Sequence, residues 1–209
     1  MIDWATLITY VAIVLGFVFI PGPATLLTVA RATTSGTRVG VATGAGIAAG
    51  DVIHTAMAII GISALIAASA TLFSIVKYLG AAYLVYLGIQ AILAKTTSQP
   101  TTAGALPVTA QKAFRQAILA EVLNPKTALF FLAFLPQFVH PENGSVSLQL
   151  TTLGIIFVLL GLVSTLVFAI GAGGLGKFLR RNPAVLKWQG KVVGGIYCAL
   201  GVRLALQER

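Results

Sequence analysis

Charged side chains are scarce in this chain, and acidic ones most of all. Only 5 of the 209 residues are Asp or Glu, and charged residues of every kind make up 9% of the sequence. Hydrophobic residues make up 57%, and the mean hydropathy of +0.95 lies far above the range of soluble domains. This composition excludes an ordinary soluble domain and predicts helices packed against one another in lipid.

Cysteine and histidine are also nearly absent, with 1 and 2 copies. Cys198 lies in an apolar stretch and has no partner for a disulfide within the chain, so we expect it to pack as a small hydrophobic residue. The sequence contains no metal-ligand spacing and no Gly-x-Ser-x-Gly nucleophile motif. We therefore expect no metal, no cofactor and no catalytic residue, and a protein that is not an enzyme.

Basic residues outnumber acidic ones by 14 to 5, which gives a formal net charge of +9. The alternation of aromatic and basic residues that reads single-stranded nucleic acid is missing, so we expect no nucleic-acid partner. Among apolar segments, Lys and Arg instead set the orientation in the bilayer.

Apolar runs of about 20 residues predict six membrane spans. They lie near Trp4–Ala30, Gly40–Ala68, Leu72–Leu93, Phe114–Phe138, Leu148–Ala172 and Trp188–Leu206. The first run lacks a basic leading region and a convincing cleavage site, so we interpret it as a retained span.

A polar stretch with Pro and Gly follows the third span and predicts a flexible linker. It divides a single transmembrane domain into a first half (1–95), a cytoplasmic linker (96–113) and a second half (114–209) of three helices each. Because three is odd, the second half enters the membrane from the side opposite to the first. The predicted fold class is therefore an all-α membrane protein of six helices in two inverted repeats, with helices 1 and 4 broken by proline.

The basic residues divide unequally between the two sides of the membrane. Loops one, three and five together hold 10 of them, and the other side holds 3. The positive-inside rule then places these loops in the cytoplasm and both termini outside it. We expect a multi-pass protein of a bacterial-type plasma (inner) membrane, with the lipid bilayer as a partner.

Two proline breaks interrupt otherwise apolar spans, at Pro21-Gly22-Pro23 and at Asn124-Pro125. A proline inside a helix removes a backbone donor, and in lipid the carbonyls left unbonded must find partners in neighbouring helices or a wet cavity. Breaks in corresponding spans of two halves indicate the substrate site of a transporter.

Each break can also start a new half-helix. Pro23 and Pro125 suit the first helical position, and Asn124 suits the N-cap. The backbone donors near Ala24 and Lys126 would then present a positive end to an anion such as a carboxylate.

Few ionisable residues fall inside the spans, and such residues are functional candidates by default because a charge at mid-membrane costs several kcal/mol unless it is paired or wet. At ~1.5 Å per residue, Pro21, Asp51 and Lys126 each lie roughly 15 Å from the cytoplasmic end of their span, near the midplane. Glu121 lies somewhat nearer the cytoplasm. His54 is as well explained by a structural hydrogen bond as by proton carriage, whereas Asp51 is either functional or a structural partner of Lys126.

Small and polar residues form a stripe along the second span, which should face the interior of the bundle: Gly44, Ala48, Asp51, His54, Thr55 and Ala58. Further small residues recur at Gly40, Gly46, Gly50, Gly154, Gly161, Ser164, Gly190 and Gly194. They allow helix backbones to approach closely, either within one bundle or in a homodimer.

Two acids and two positive helix ends together fit a small zwitterion, hence an amino acid. The predicted substrate-binding residues are Pro21, Gly22, Pro23, Ala24, Asp51, Asn124, Pro125 and Lys126. The candidates for coupling to protons are Asp51, Glu121 and His54.

Ordered motifs across four spans resemble those of the lysine exporter (LysE/RhtB) family of amino-acid efflux proteins. They are Phe19-Ile-Pro-Gly-Pro-Ala, Gly36-Thr-Arg-Val-Gly-Val-Ala-Thr-Gly-Ala-Gly, Lys77-Tyr-Leu-Gly-Ala-Ala-Tyr-Leu-Val-Tyr-Leu-Gly, Phe114-Arg-Gln-Ala and Leu123-Asn-Pro-Lys-Thr-Ala-Leu-Phe-Phe. The resemblance implies a six-helix inner-membrane exporter of amino acids or close derivatives, driven by the proton gradient. Every predicted binding residue except Ala24 lies on a motif position of the family that the chain resembles, whereas Glu121 and His54 are added from their chemistry.

Three other functions remain open at this point. Related families export metal cations, although the sequence has no Cys/His or carboxylate cluster at ligand spacing. An intramembrane enzyme could use Asp51, His54 and Glu121 for acid–base chemistry. A structural membrane subunit would leave the convergent mid-membrane charges unexplained.

Overall fold

The computed structural model of the protein describes residues 2–19, 22–68, 70–93 and 107–181, together with ten further residues between 188 and 206. Every secondary-structure element in these parts of the chain is helical. The main helices are α1 (Trp4–Phe19), α2 (Pro23–Ser35), α3 (Thr37–Ala68), α4 (Ala70–Leu93), α5 (Ala110–Val122), α6 (Pro125–Leu129) and α7 (Val146–Arg181). The predicted all-α class is therefore confirmed for the described residues.

Two of these helices are long and apolar enough to cross a membrane by themselves, over Thr37–Gly61 in α3 and Val146–Ala172 in α7. Two bent pairs reach the same length and hydropathy when each is taken as one broken span. The pair α1 and α2 bends by 48°, and α5 bends by 45° against the segment Pro125–Phe138. Most of the predicted sixth span, and most of the predicted linker, lie outside the described residues.

The first break has the geometry that its prolines predict. Helix α1 ends at Phe19, and α2 begins at Pro23, with Gly22 in an extended conformation as its N-cap. The prediction that Pro23 starts a new half-helix is confirmed, since a proline at this position lacks an N–H that would have no partner anyway. Pro21 lies outside the described residues.

The second break is capped by its own asparagine. The side-chain oxygen of Asn124 accepts a hydrogen bond of 3.1 Å from the N–H of Lys126, and Pro125 is the first helical residue. Both predictions for this break are confirmed. The chain then leaves α-helical geometry sooner than the sequence indicates, with a π-helical turn at Phe130–Phe134 and a 3₁₀ turn at Leu135–Phe138.

Glycines let α3 pack closely against α5 and α7. A Cβ added at Gly46 would overlap the carbonyl of Phe114 and lie 2.8 Å from the Cβ of Ala117, both on α5. A Cβ at Gly44 would lie 2.8 Å from the hydroxyl of Thr165 on α7. These two glycines therefore allow close packing within one bundle, which is one of the two predicted roles. The other role, contact in a homodimer, stays a prediction.

Aromatic rings fill the space between α1, the π-helical turn and α7. The buried members of this aromatic core are Tyr10, Phe17, Phe130, Phe131, Phe134, Phe138 and Phe157. The Tyr10 hydroxyl donates a hydrogen bond of 2.9 Å to the carbonyl of Leu153, so the one polar atom among these rings is satisfied. The aromatic core holds both broken spans against α7.

Candidate functional site

The two breaks meet at a cavity inside the bundle. Counted together with the space at its mouth, this cavity has a volume of about 410 Å³. Its walls come from the first break, α3, α5, the second break and α7. The lining residues are Phe17, Val18, Gly22, Pro23, Ala24, Thr25, Ile47, Asp51, Glu121, Asn124, Lys126, Thr127, Phe157, Gly161 and Thr165.

The N-terminus of α2 forms one wall of the cavity. The N–H of Leu26 makes the first hydrogen bond inside this helix, 2.9 Å long, to the carbonyl of Gly22. The N–H groups of Ala24 and Thr25 precede that bond, and the N-cap residue, Gly22, has no side chain to bind them. This helix end therefore offers backbone donors and a positive dipole end to an anion in the cavity.

Lys126 connects the two breaks. Its ammonium donates a hydrogen bond of 3.2 Å to the carbonyl of Phe17 and lies 4.1 Å from the centre of the Phe17 ring. The hydroxyl of Ser164 donates a hydrogen bond of 2.7 Å to the carbonyl of Val18. Both carbonyls lie in the last turn of α1, where helix carbonyls need partners from outside, and side chains from the second half of the chain donate to them.

The two acidic residues of the cavity differ in their hydrogen bonds. Both carboxylate oxygens of Glu121 accept hydrogen bonds of 3.2 Å from the side-chain amide of Asn124, and the hydroxyl of Thr127 donates to one of them. The Oδ1 atom of Asp51 is buried and has no hydrogen-bond partner among the described residues. Asp51 is only 2% exposed, and a buried acceptor without a hydrogen-bond partner is unfavourable.

The cavity contains two acids and one base. Asp51, Glu121 and Lys126 are close enough to interact electrostatically. If all three were charged, one negative charge would remain in a buried site, where an uncompensated charge is unfavourable. One bound proton would balance it. In the described part of the chain, no group of three or more His, Cys, Asp or Glu residues could hold a metal ion.

His54 faces away from the cavity, toward α5 and the π-helical turn. Its Nε2 lies 2.9 Å from the backbone carbonyl of Glu121, and its ring stacks on that of Phe131 at 5.7 Å and 17°. A carbonyl can only accept, so this nitrogen carries the hydrogen and donates it. The geometry favours the structural alternative for His54, which ties α3 to α5.

The structure brings most of the predicted site residues together. Those that line the cavity are Gly22, Pro23, Ala24, Asp51, Glu121, Asn124 and Lys126. Pro125 is exposed on the outer side of α6, and Pro21 lies outside the described residues. The whole predicted stripe of α3, from Gly44 to Ala58, is buried, as expected.

Several residues that line the cavity were not predicted from the sequence, chiefly the apolar Phe17, Ile47 and Phe157 and the hydroxyl residue Thr165. Apolar residues in an apolar span give no signal of their own. A weak signal existed for Thr165, because it lies four residues after Gly161 and therefore on the same face of its helix.

Long apolar helices that break around a buried, charged cavity define an integral membrane protein of the transporter class. Residues 15–208 match the family model of the LysE type translocator. The chain belongs to this family of translocators, and the family resemblance of its motifs is confirmed.

Several relatives are similar over nearly their whole length. The chain is 34% identical to the uncharacterized membrane protein YrhP of Bacillus subtilis (strain 168) over 96% of this chain and 99% of the relative. It is 31% identical to an uncharacterized membrane protein of Vibrio cholerae serotype O1, with 95% of both chains covered. The leucine efflux protein of Salmonella typhimurium is 31% identical over 94% of this chain and 93% of its own. No solved structure matches the chain significantly.

Proposed function

We propose that this protein exports amino acids or their close derivatives across the plasma membrane, in exchange for protons and by alternating access. The observation that supports it best is the cavity, because it is lined both by the N-terminus of α2 and by Asp51, whose buried Oδ1 accepts no hydrogen bond from the described residues. The leucine efflux relative makes an amino acid the first ligand to test.

The two ends of an amino acid fit different walls of the cavity. Its carboxylate would accept hydrogen bonds from the N–H groups of Ala24 and Thr25, beside the ammonium of Lys126. Its ammonium would pair with the carboxylate of Asp51, whose Oδ1 accepts no hydrogen bond from the described residues. Both ligand charges would then lie against groups of opposite sign.

The proposed proton exchange rests on competition for one carboxylate. A proton on Asp51 would neutralise the empty site, and when it leaves, the ammonium of the substrate would pair with Asp51 while the N-terminus of α2 and Lys126 face the substrate's carboxylate. Glu121 is held by Asn124 and Thr127, so we assign it to a fixed position and assign the exchange to Asp51. The same carboxylate would thus bind either the substrate or the proton, which is the requirement for antiport.

We further propose that six spans form two inverted halves, 1–95 and 114–209, joined by the cytoplasmic linker 96–113, with both termini outside the cytoplasm. The two broken spans occupy corresponding places in these halves, and their breaks line one cavity. Rocking of one half against the other would expose this fixed site to each side in turn.

A metal-cation exporter is the less suitable alternative for this site. The ammonium of Lys126 lines the same cavity as the two carboxylates and would repel a divalent cation. The same ammonium favours a ligand that carries its own carboxylate.

Transport into proteoliposomes tests the proposal. Vesicles with an acidic interior should take up labelled amino acids from a neutral medium as protons leave, because export in the cell runs in exchange for entering protons. We expect uptake to stop when an ionophore abolishes the pH gradient, and vesicles without protein to take up none. Gradient-independent leakage equal in both vesicle types would contradict the proposal.

A further inference from the structure

The cavity has an apolar wall next to its charged groups, and this wall indicates the class of amino acid that fits. We propose that the substrates are neutral amino acids with apolar side chains, and that Gly161 and Ile47 set the size of the side chain that is accepted. This inference rests on the proposed function, because it specifies the substrate of the same site.

The charged groups of the cavity are accounted for by the two ends of any amino acid. Asp51 takes the ammonium, and the N-terminus of α2 takes the carboxylate beside Lys126. The carboxylate of Glu121 already accepts from Asn124 and Thr127. Among the described residues, no second unpaired acid therefore remains in the cavity for a basic side chain. An acidic side chain would add a third negative charge beside Asp51 and Glu121, which is unfavourable in a buried site.

The apolar wall consists of Phe17, Ile47 and Phe157, on three different helices. The ring centres of Phe17 and Phe157 are 5.9 Å apart, and both rings belong to the buried aromatic core. Ile47 is 4% exposed and lies four residues before Asp51 on α3, so it shares the face of the helix that carries the carboxylate. A side chain that branches from the carbon next to the bound ammonium would meet this wall, and an apolar one would gain from leaving water.

Gly161 leaves space beside the carboxylate. A Cβ at this position would lie 3.2 Å from Oδ2 of Asp51, closer than most contacts of real Cβ atoms. Phe157 precedes Gly161 by one helical turn, so the glycine joins the apolar wall to the ammonium site. A methyl group at position 161 would narrow the space between the apolar wall and the ammonium site. The resulting loss of substrate affinity should grow with the size of the substrate side chain.

Uptake of single labelled amino acids by the full chain in proteoliposomes tests the substrate class. We expect leucine, isoleucine, valine and methionine to be transported at least about tenfold faster than lysine, arginine, aspartate and glutamate, because burying an unpaired charge is penalised more than changing a methylene. Transport of lysine or glutamate as fast as leucine would overturn the substrate class and leave the proposed function intact. Transport of no amino acid at all would overturn both.

Two glycines of α7 provide a matched pair of variants. Gly161→Ala should raise KM for leucine about fivefold or more and change KM for alanine much less, since a single methyl in a binding pocket is worth about one order of magnitude. Gly171→Ala adds the same methyl where no atom of the described residues lies within 4 Å, and it should leave both KM values unchanged. Equal effects of Gly161→Ala on leucine and alanine, or no effect, would overturn the role of Gly161.

Ile47→Ala gives an independent test if Gly161→Ala does not fold. This change removes part of the apolar wall and so enlarges the space for the substrate side chain, without altering a charged group. Uptake of phenylalanine should therefore rise relative to uptake of valine. An unchanged ratio of the two rates would contradict the assignment of the wall to the substrate side chain.

Discussion

Replacing Asp51 with Asn is expected to abolish amino-acid transport driven by a pH gradient, with a reduction of about 100-fold or more. Asn has the shape of Asp, but it neither carries the charge that would hold an ammonium nor binds and releases a proton at this site. Removing one partner of a buried charge pair costs about 3–5 kcal/mol, and each 1.4 kcal/mol corresponds to about a factor of ten. The measurement is the initial rate of uptake into proteoliposomes with an acidic interior.

Asp3→Asn is the control for this variant. Asp3 lies before α1, where Thr6 donates two hydrogen bonds to its carboxylate, and these bonds hold the pKa of Asp3 below its usual range. The Asp3→Asn protein should transport normally, because Asp3 precedes α1, is not among the residues that line the cavity and is exposed to solvent. Normal transport by the Asp51→Asn protein would contradict the role assigned to Asp51.

Gly46→Ala is expected to destabilise the protein by about 1–3 kcal/mol, the usual cost of adding atoms to a closely packed contact. The new methyl group would overlap the carbonyl of Phe114 and crowd Ala117, so α3 would have to move away from α5. These helices carry Asp51 and Glu121, and we expect transport to fall as well. Thermal unfolding of the protein in detergent measures the first effect, and proteoliposome uptake measures the second.

Gly61→Ala is the matched control on the same helix. No atom of the described residues lies within 4 Å of a Cβ at Gly61, and alanine is a better helix former than glycine by about 1 kcal/mol. This variant should be as stable as the original protein or slightly more stable. If both variants unfold at the same temperature, the close contact between α3 and α5 does not exist.

Local backbone chemistry made much of the site predictable from the sequence. Proline at the first helical position and asparagine at the N-cap act within a few residues, so Pro23, Asn124 and Pro125 gave the starts of both half-helices correctly. The periodicity of α3 gave its buried face, including Asp51 and His54, because helical spacing alone decides which residues share a face.

The hydrogen-bond partners of the site residues depend on contacts between distant parts of the chain, which the sequence does not show. The oxygen of Asn124 caps Lys126 and its side-chain amide donates to Glu121, so both ends of this predicted binding residue are already engaged. Lys126 itself binds the carbonyl of Phe17, 109 residues away in the chain. The N-cap of α2 is Gly22, which has no side chain to bind the first N–H groups, so we propose the first break as the anion site.

The π-helical turn at Phe130–Phe134 also lacks a sequence signal. Its rings pack against Tyr10 and Phe157, from helices at the beginning and in the last third of the chain. Such a turn is selected by tertiary packing and not by the propensity of five apolar residues.

Chemical labelling of a single cysteine in the cavity tests most directly whether the two breaks form one amino-acid site. Thr25 lines the cavity at the N-terminus of α2 and is 5% exposed. A Thr25→Cys, Cys198→Ser protein that still transports would be treated with a membrane-impermeant thiol reagent from either side of the membrane. We predict labelling from both sides, slowed by saturating leucine on each. Labelling at a rate that leucine does not change, or no labelling from either side, would contradict the account.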